Sequence, residues 1–247
     1  NVQDMVLYFA TETETNIKVE IPALGYIREY NAIPANTIFT SDPLPKAGPE
    51  DARLTTEGIS AQGIHITSNQ PVVAYAHIYS GNVSGATLLF PTNTLGREYY
   101  SINFEQHSNE PNSNCFFYAI ATDTGITSIE VTPSANTQTM NAGQTYTYNL
   151  KQGEVFNALG DLIGNNGVDL TGSKIKSINT NSTGCKPIAV FSGSGKINIV
   201  CPPGNSTASA DNYMVQSFPK NAWGKRYLTV PTDVLPNNFF RICVTDP

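Results

Sequence analysis

The chain repeats itself. "LYFATETETNIKVEIP", from Leu7 to Pro22, returns as "FYAIATDTGITSIEVTP", from Phe117 to Pro133, so that Val19 falls on Ile129. Further on, "ITSNQPVVAYAHIYSGN" lies over "KIKSINTNSTGCKPIAVFSGSGK", with Pro71 on Pro187. The clearest block is "FPTNTLGREYY" over "FPKNAWGKRYL", where Phe90, Pro91, Gly96 and Tyr99 meet Phe218, Pro219, Gly224 and Tyr227. Two copies of one segment must build two copies of one supersecondary unit, so the duplication bounds the architecture before composition is consulted. The partners drift apart along the chain because the second copy carries insertions, one between Ser177 and Pro187 and one between Phe191 and Phe218.

The local pattern is strand. "IKVEI" and "IEV" alternate apolar with polar, as a half-buried strand does, while "PVVAYAHIY" and "PIAVFS" are continuous β-rich runs suited to a sheet covered on both faces. Turn residues separate the runs. "LKQGEVFNALGDLIG" is the one ambiguous stretch, and its glycines argue for loop or a single helical turn. Short strands in two long copies predict an all-β fold of two tandem, internally repeated β-sandwich-like domains, residues 1–115 and 116–247. The last residues, "FFRICVTDP", begin the phrase a third time. Either this opening strand, at about 239–247, completes the second sandwich by covering its edge, or the chain simply breaks off there.

The second copy's insertions hold Asn181, Cys185, Cys201 and Asn205. If "PIAVF" and "KINIV" form a hairpin about Gly193, Cys185 and Cys201 are directly opposed, within disulfide reach; two buried thiols are the other reading. Elimination then pairs Cys115 with Cys243, each in the opening strand of a copy. Asn82, Asn181 and Asn205 each stand in an Asn-x-Ser/Thr glycosylation sequon. Together these features point to an oxidising, secreted setting.

Charged residues make up only 14% of the 247 residues, against roughly 25% in an average soluble protein. The net charge is −6 and no basic cluster exceeds a pair such as Lys225-Arg226, so nucleic acid is excluded as a partner. No apolar run is long enough to insert in a membrane as a helix. Asn1 opens no signal-peptide pattern, and the chain reads as a mature or excised piece.

Motifs for chemistry are poor. His65 and His77 lie in β runs and His107 in a polar loop, which suits structural histidines better than catalytic ones. "SGSGK" lacks the first glycine of a phosphate loop and has Ile197 where Ser or Thr should follow. Glu12 and Glu14 of "TETET" belong to a turn signature that recurs as "TDT". Asp161, Asn165 and Asp169 could gather oxygens for calcium but miss the EF-hand spacing at Ile163, so no metal is expected. Trp223 falls where the first copy has Leu95, which favours a packing role over a sugar platform. No catalytic residues and no cofactor are expected.

"GIHITSNQPVVAYA", "FPTNTLGREYY", "DLTGSKI", "KPIAVFSG" and "WGKRYLTVP", in that order, resemble the N-terminal domain family of the IgG Fc-binding protein, a secreted mucus component. The resemblance implies an extracellular, non-enzymatic structural or adhesive module of a larger mucus- or matrix-type protein. It implies protein or glycoprotein partners, self-association among them, without fixing immunoglobulin as the ligand. The matching positions are mainly apolar, glycine and proline, hence scaffold. The Asn181 insertion and "IVCPPGNSTASA" depart from the common pattern. The alternative function is a glycan-binding adhesin domain that stacks sugars on Tyr and Trp.

Overall fold

The computed structural model describes residues 3–107, 113–164, 166–179, 184–198, 210–231, 238 and 240–245. The first copy forms β1 (Asp4–Ala10), β2 (Thr15–Ile21), β3 (Tyr26–Ile33), β4 (Ile38–Thr40), β5 (Gly58–Ser60), β6 (His65–Ser68), β7 (Val73–Tyr79), β8 (Ser84–Leu89) and β9 (Glu98–Tyr100). The alternation in "TNIKVEI" does what it predicts: Thr15, Ile17, Val19 and Ile21 are buried and the residues between them are not. "PALG" then turns the chain. Pro22 opens a 3-10 turn, and Gly25, at φ +69°, closes it with an N–H to the Pro22 carbonyl at 3.2 Å.

Antiparallel pairing gathers these strands into two sheets, ordered β4-β1-β7-β8 and β3-β2-β6. Leu7, Phe9 and Ala76 of the first share one buried cluster with Ile17, Val19 and Ile21 of the second. Each fully buried large side chain of this kind contributes about 1.5–3 kcal/mol.

The remaining strands are β10 (Gln106–His107), β11 (Cys115–Ala121), β12 (Ile126–Thr132), β13 (Tyr146–Lys151), β14 (Val155–Leu159), β15 (Leu162–Ile163), β16 (Asn166–Gly167), β17 (Lys174–Ile178), β18 (Ile188–Ile197) and β19 (Asp211–Gln216). The order β14-β11-β18-β19 repeats β4-β1-β7-β8, and β13-β12-β17 repeats β3-β2-β6. Phe117, Ala119 and Ala121 share the second buried cluster with Ile129, Val131 and Ile175. Two strands of the first copy join these sheets: β5 pairs outside β14, and β9 pairs outside β17. A small fifth sheet, β10-β16-β15, lies beside β18.

Three local expectations are corrected. "SGSG" is no hairpin: β18 runs straight through it, with Gly193 opposite Phe116 on one side and Met214 on the other. Neither Gly193 nor Gly195 takes the left-handed conformation that a tight turn requires, because both edges of the strand are already paired. "VFNAL" is strand β14, not loop, and its first four residues are buried. "VAYAHIY" is covered on one face only, leaving Val73 and Tyr75 exposed, whereas "IAVFSGS" of β18 is buried throughout. The difference is position: Phe117 and its alternates on neighbouring β11 face the second core, while Phe116 packs against the first.

Candidate functional site

The two copies meet around an apolar cavity of about 310 Å³. Leu7, Ile78 and Leu89 line it from the first copy, and Phe116, Tyr118 and Met214 from the second. It exists because β11 alternates: Phe117 and Ala119 point into the second core, so Phe116 and Tyr118 are turned toward β1 and β7. Among the described residues the Tyr118 hydroxyl finds a soft acceptor, the Met214 Sδ at 3.7 Å, and burial pushes its phenol up. Such a space accepts an apolar group.

Lys46, Arg53 and Gln62 belong to the polar part of the lining, with Gln3, Asp4 and Asn157. Lys46 pairs with Asp4 at 2.7 Å and donates to the Gln3 carbonyl at 3.2 Å. Arg53 grips Asp51 in a fork, and that guanidinium holds the Asp51 carboxyl down at about 2. Gln62 Nε2 donates to the Asp51 and Arg53 carbonyls at 2.8 and 2.9 Å, which ties the loop across the cavity.

The residues singled out by sequence do not converge there. His65 lies 3.0 Å from Glu20, whose carboxyl the Lys18 hydrogen bond, helped by His65, holds below the ordinary carboxylate range. His77 lies between Tyr8 and Ser84, at 3.2 and 2.8 Å. The side chain of His107 lies outside the described residues. Glu12 and Glu14 are exposed in the β1–β2 turn. Asp169 is committed to Thr171 and Arg241, Asn165 is not described, and no group of three metal-binding side chains gathers among the described residues. Trp223 donates its Nε1 to the Phe218 carbonyl at 3.3 Å and packs 5.4 Å from the Tyr100 ring.

Asn82 is exposed between β7 and β8; Asn181, Asn205 and Cys201 lie outside the described residues. With the hairpin gone, the register that set Cys185 against Cys201 is gone too. Cys115 is buried in β11, its Sγ donating to the Phe104 carbonyl at 2.9 Å and lying 3.1 Å from Ser194 Oγ. Cys243 is half-buried, its thiol pushed up by that burial, and the structure shows no bridge between it and Cys115. The described part of 239–247 forms no strand: Phe240, Ile242 and Val244 are exposed, and Arg241 holds the segment by bonds to the Asn103 carbonyl, Thr171 and Asp169.

Sequence reasoning missed the arm just before it. Thr92–Thr94 and Lys220–Ala222 are matching 3-10 turns, and in each copy the tyrosine hydroxyl accepts the glycine N–H three residues back, Gly96 to Tyr99 at 2.8 Å and Gly224 to Tyr227 at 2.6 Å. Yet Tyr99 is 0% exposed and Tyr227 is 74% exposed. The signal was in the repeat: β9 leaves its own copy to pair with β17 of the second, which is what buries Tyr99.

No curated protein and no solved structure matches the chain. A family model described as IgGFc binding protein matches residues 85–247, which takes in all of β8 but its first residue, β9 to β19 and the arm. The matched stretch is well over half of the sequence, and the chain belongs to the IgGFc binding protein family.

Proposed function

We propose that this chain is an extracellular, non-enzymatic binding module of a larger secreted protein of the mucus or matrix type, built as two tandem β-sandwich units. The observation that carries the reading is the family match across residues 85–247. The paired sheets support the two-unit description, since each pair shares one buried cluster. Rigid sheets hold the exposed connections in fixed places, which is how a scaffold presents a recognition surface at low entropic cost.

Immobilised full chain, exposed in turn to immunoglobulin Fc, to a mucin-type glycoprotein and to that glycoprotein after deglycosylation, tests the reading. Saturable binding to Fc or to the deglycosylated polypeptide supports it. Binding that vanishes with the glycans favours the adhesin alternative, and absence of binding to all three overturns the proposal.

A further inference from the structure

The cavity between the two copies is walled by the face of β11 that looks away from the second core. Phe117 and Ala119 on the core face are 0% exposed, whereas Phe116, Tyr118 and Ile120 on the other face are half-buried and line the cavity. Phe191 of β18 continues the wall, its ring stacked 4.8 Å from the Tyr118 ring. At about 310 Å³ the space is roughly twice that of an apolar cavity that takes benzene, so it has room for about a dozen non-hydrogen atoms. It is too large for an ordinary packing defect.

On the wall made by β11 and β14, two polar side chains interrupt the hydrocarbon from directly opposed positions. One is Asn157, only 2% exposed: its Nδ2 donates to the Thr56 carbonyl at 3.0 Å, and its Oδ1 accepts no hydrogen bond among the described residues. The other is Tyr118, whose hydroxyl has the Met214 thioether as its partner among the described residues. The duplication shows this arrangement to be particular to the second copy. Tyr118 is the counterpart of Tyr8, and Gly193 of His77, because Val6 pairs with His77 as Phe116 pairs with Gly193. Tyr8 has His77 Nδ1 at 3.2 Å. Gly193 offers no side chain in its place, so the copy that faces the cavity has lost the ring nitrogen and kept the hydroxyl.

A buried amide oxygen without a donor and a phenol with a weak acceptor are both costly, and a ligand group that donates and accepts would relieve the two at once. The cations of the lining are already balanced, Lys46 by Asp4 at 2.7 Å and Arg53 by Asp51 at 2.5 Å. An anionic head group would have to displace a carboxylate; a neutral one displaces nothing. We infer that the cavity binds a small uncharged molecule, mostly hydrocarbon, whose hydroxyl or comparable neutral group accepts from Tyr118 and donates to Asn157.

Calorimetric titration of the full chain with 1-octanol, n-butylbenzene and octanoate, at neutral pH where octanoate is charged, tests the inference. The expected result is saturable binding of one octanol per chain, at least about tenfold tighter than octanoate, whose charge the cavity leaves unpaired. Tyr118→Phe keeps the ring and removes the donor, so the ratio of octanol affinity to butylbenzene affinity should fall about threefold to tenfold, the loss of one hydrogen bond. Ile64→Trp, at a half-buried lining position of the first copy, fills the space and should abolish binding of octanol and butylbenzene alike. Absence of saturable octanol binding, octanoate binding as tightly as octanol, an unchanged ratio in Tyr118→Phe, or octanol binding that a folded Ile64→Trp leaves intact overturns the inference. Should Ile64→Trp fail to fold, the Tyr118→Phe ratio decides alone.

Discussion

The Glu57 carboxylate, in the first copy, accepts the Leu159 N–H of the second at 2.8 Å. Its other oxygen accepts from Thr137 Oγ1 at 2.8 Å, from the Thr139 N–H at 3.0 Å and from the Thr139 hydroxyl. One side chain thus serves four donors, two of them backbone groups, at the place where β5 joins β14. Glu57→Ala leaves those N–H groups without their charged acceptor, at a cost of about 2–3 kcal/mol. The urea midpoint should fall accordingly. Glu57→Gln, which keeps one acceptor oxygen, should lose about half as much.

Tyr99 and Tyr227 share a hydrogen bond but not an environment. Removing the Tyr99 hydroxyl strands the Gly96 N–H and the Ile188 carbonyl in a buried joint, so Tyr99→Phe should cost about 1–3 kcal/mol in a denaturation titration. The Gly224 N–H can turn to water when Tyr227 loses its hydroxyl. Tyr227→Phe should therefore leave the midpoint of dilute, monomeric protein unchanged.

Gly193 is excluded from change by its neighbours. An added Cβ would stand 2.4 Å from both the Phe116 ring and the Tyr213 carbonyl oxygen, and the oxygen belongs to a paired strand that cannot yield cheaply. Gly193→Ala should cost about 1–3 kcal/mol, the usual range for overpacking. At Gly195 the nearest atom is Ser113 Cβ at 3.3 Å, and Gly195→Ala should cost markedly less by the same measurement.

What could be read in the chain, and what could not, divides along physical range. Alternation in "TNIKVEI" is a property of neighbours, so β2 and its burial were legible, and the duplication carried the same strand order into the second copy. "SGSG" was misread because small residues suit a turn and a crowded central strand equally well; the Phe116 ring and the Tyr213 carbonyl decide it, and both lie far away in sequence. The cavity behind Tyr118 and the Glu57 latch have no local pattern at all. The arm was the informative failure: "GREYY" and "GKRYL" are near-identical in kind, yet only the pairing of β9 with β17 accounts for a buried Tyr99 beside an exposed Tyr227.

Asp169 gives the chain's last described segment a dependence on pH. Burial alone would raise its carboxyl, but hydrogen bonds from Thr171 and Arg241 outweigh it and hold the group below the ordinary carboxylate value. A depressed folded-state value means the ionised form is the one the fold prefers. The Arg241 tether is therefore fully present above the ordinary Asp value, about 3.9, and is lost as pH falls through the lower folded value. Exchange at 240–245, taken relative to the intrinsic rate at each pH, should rise on acidification through that window, while amides of buried β11 keep their protection. Asp169→Asn should show the fast exchange already at neutral pH, with no acid step remaining. An acid step that persists in Asp169→Asn would assign the tether to another group.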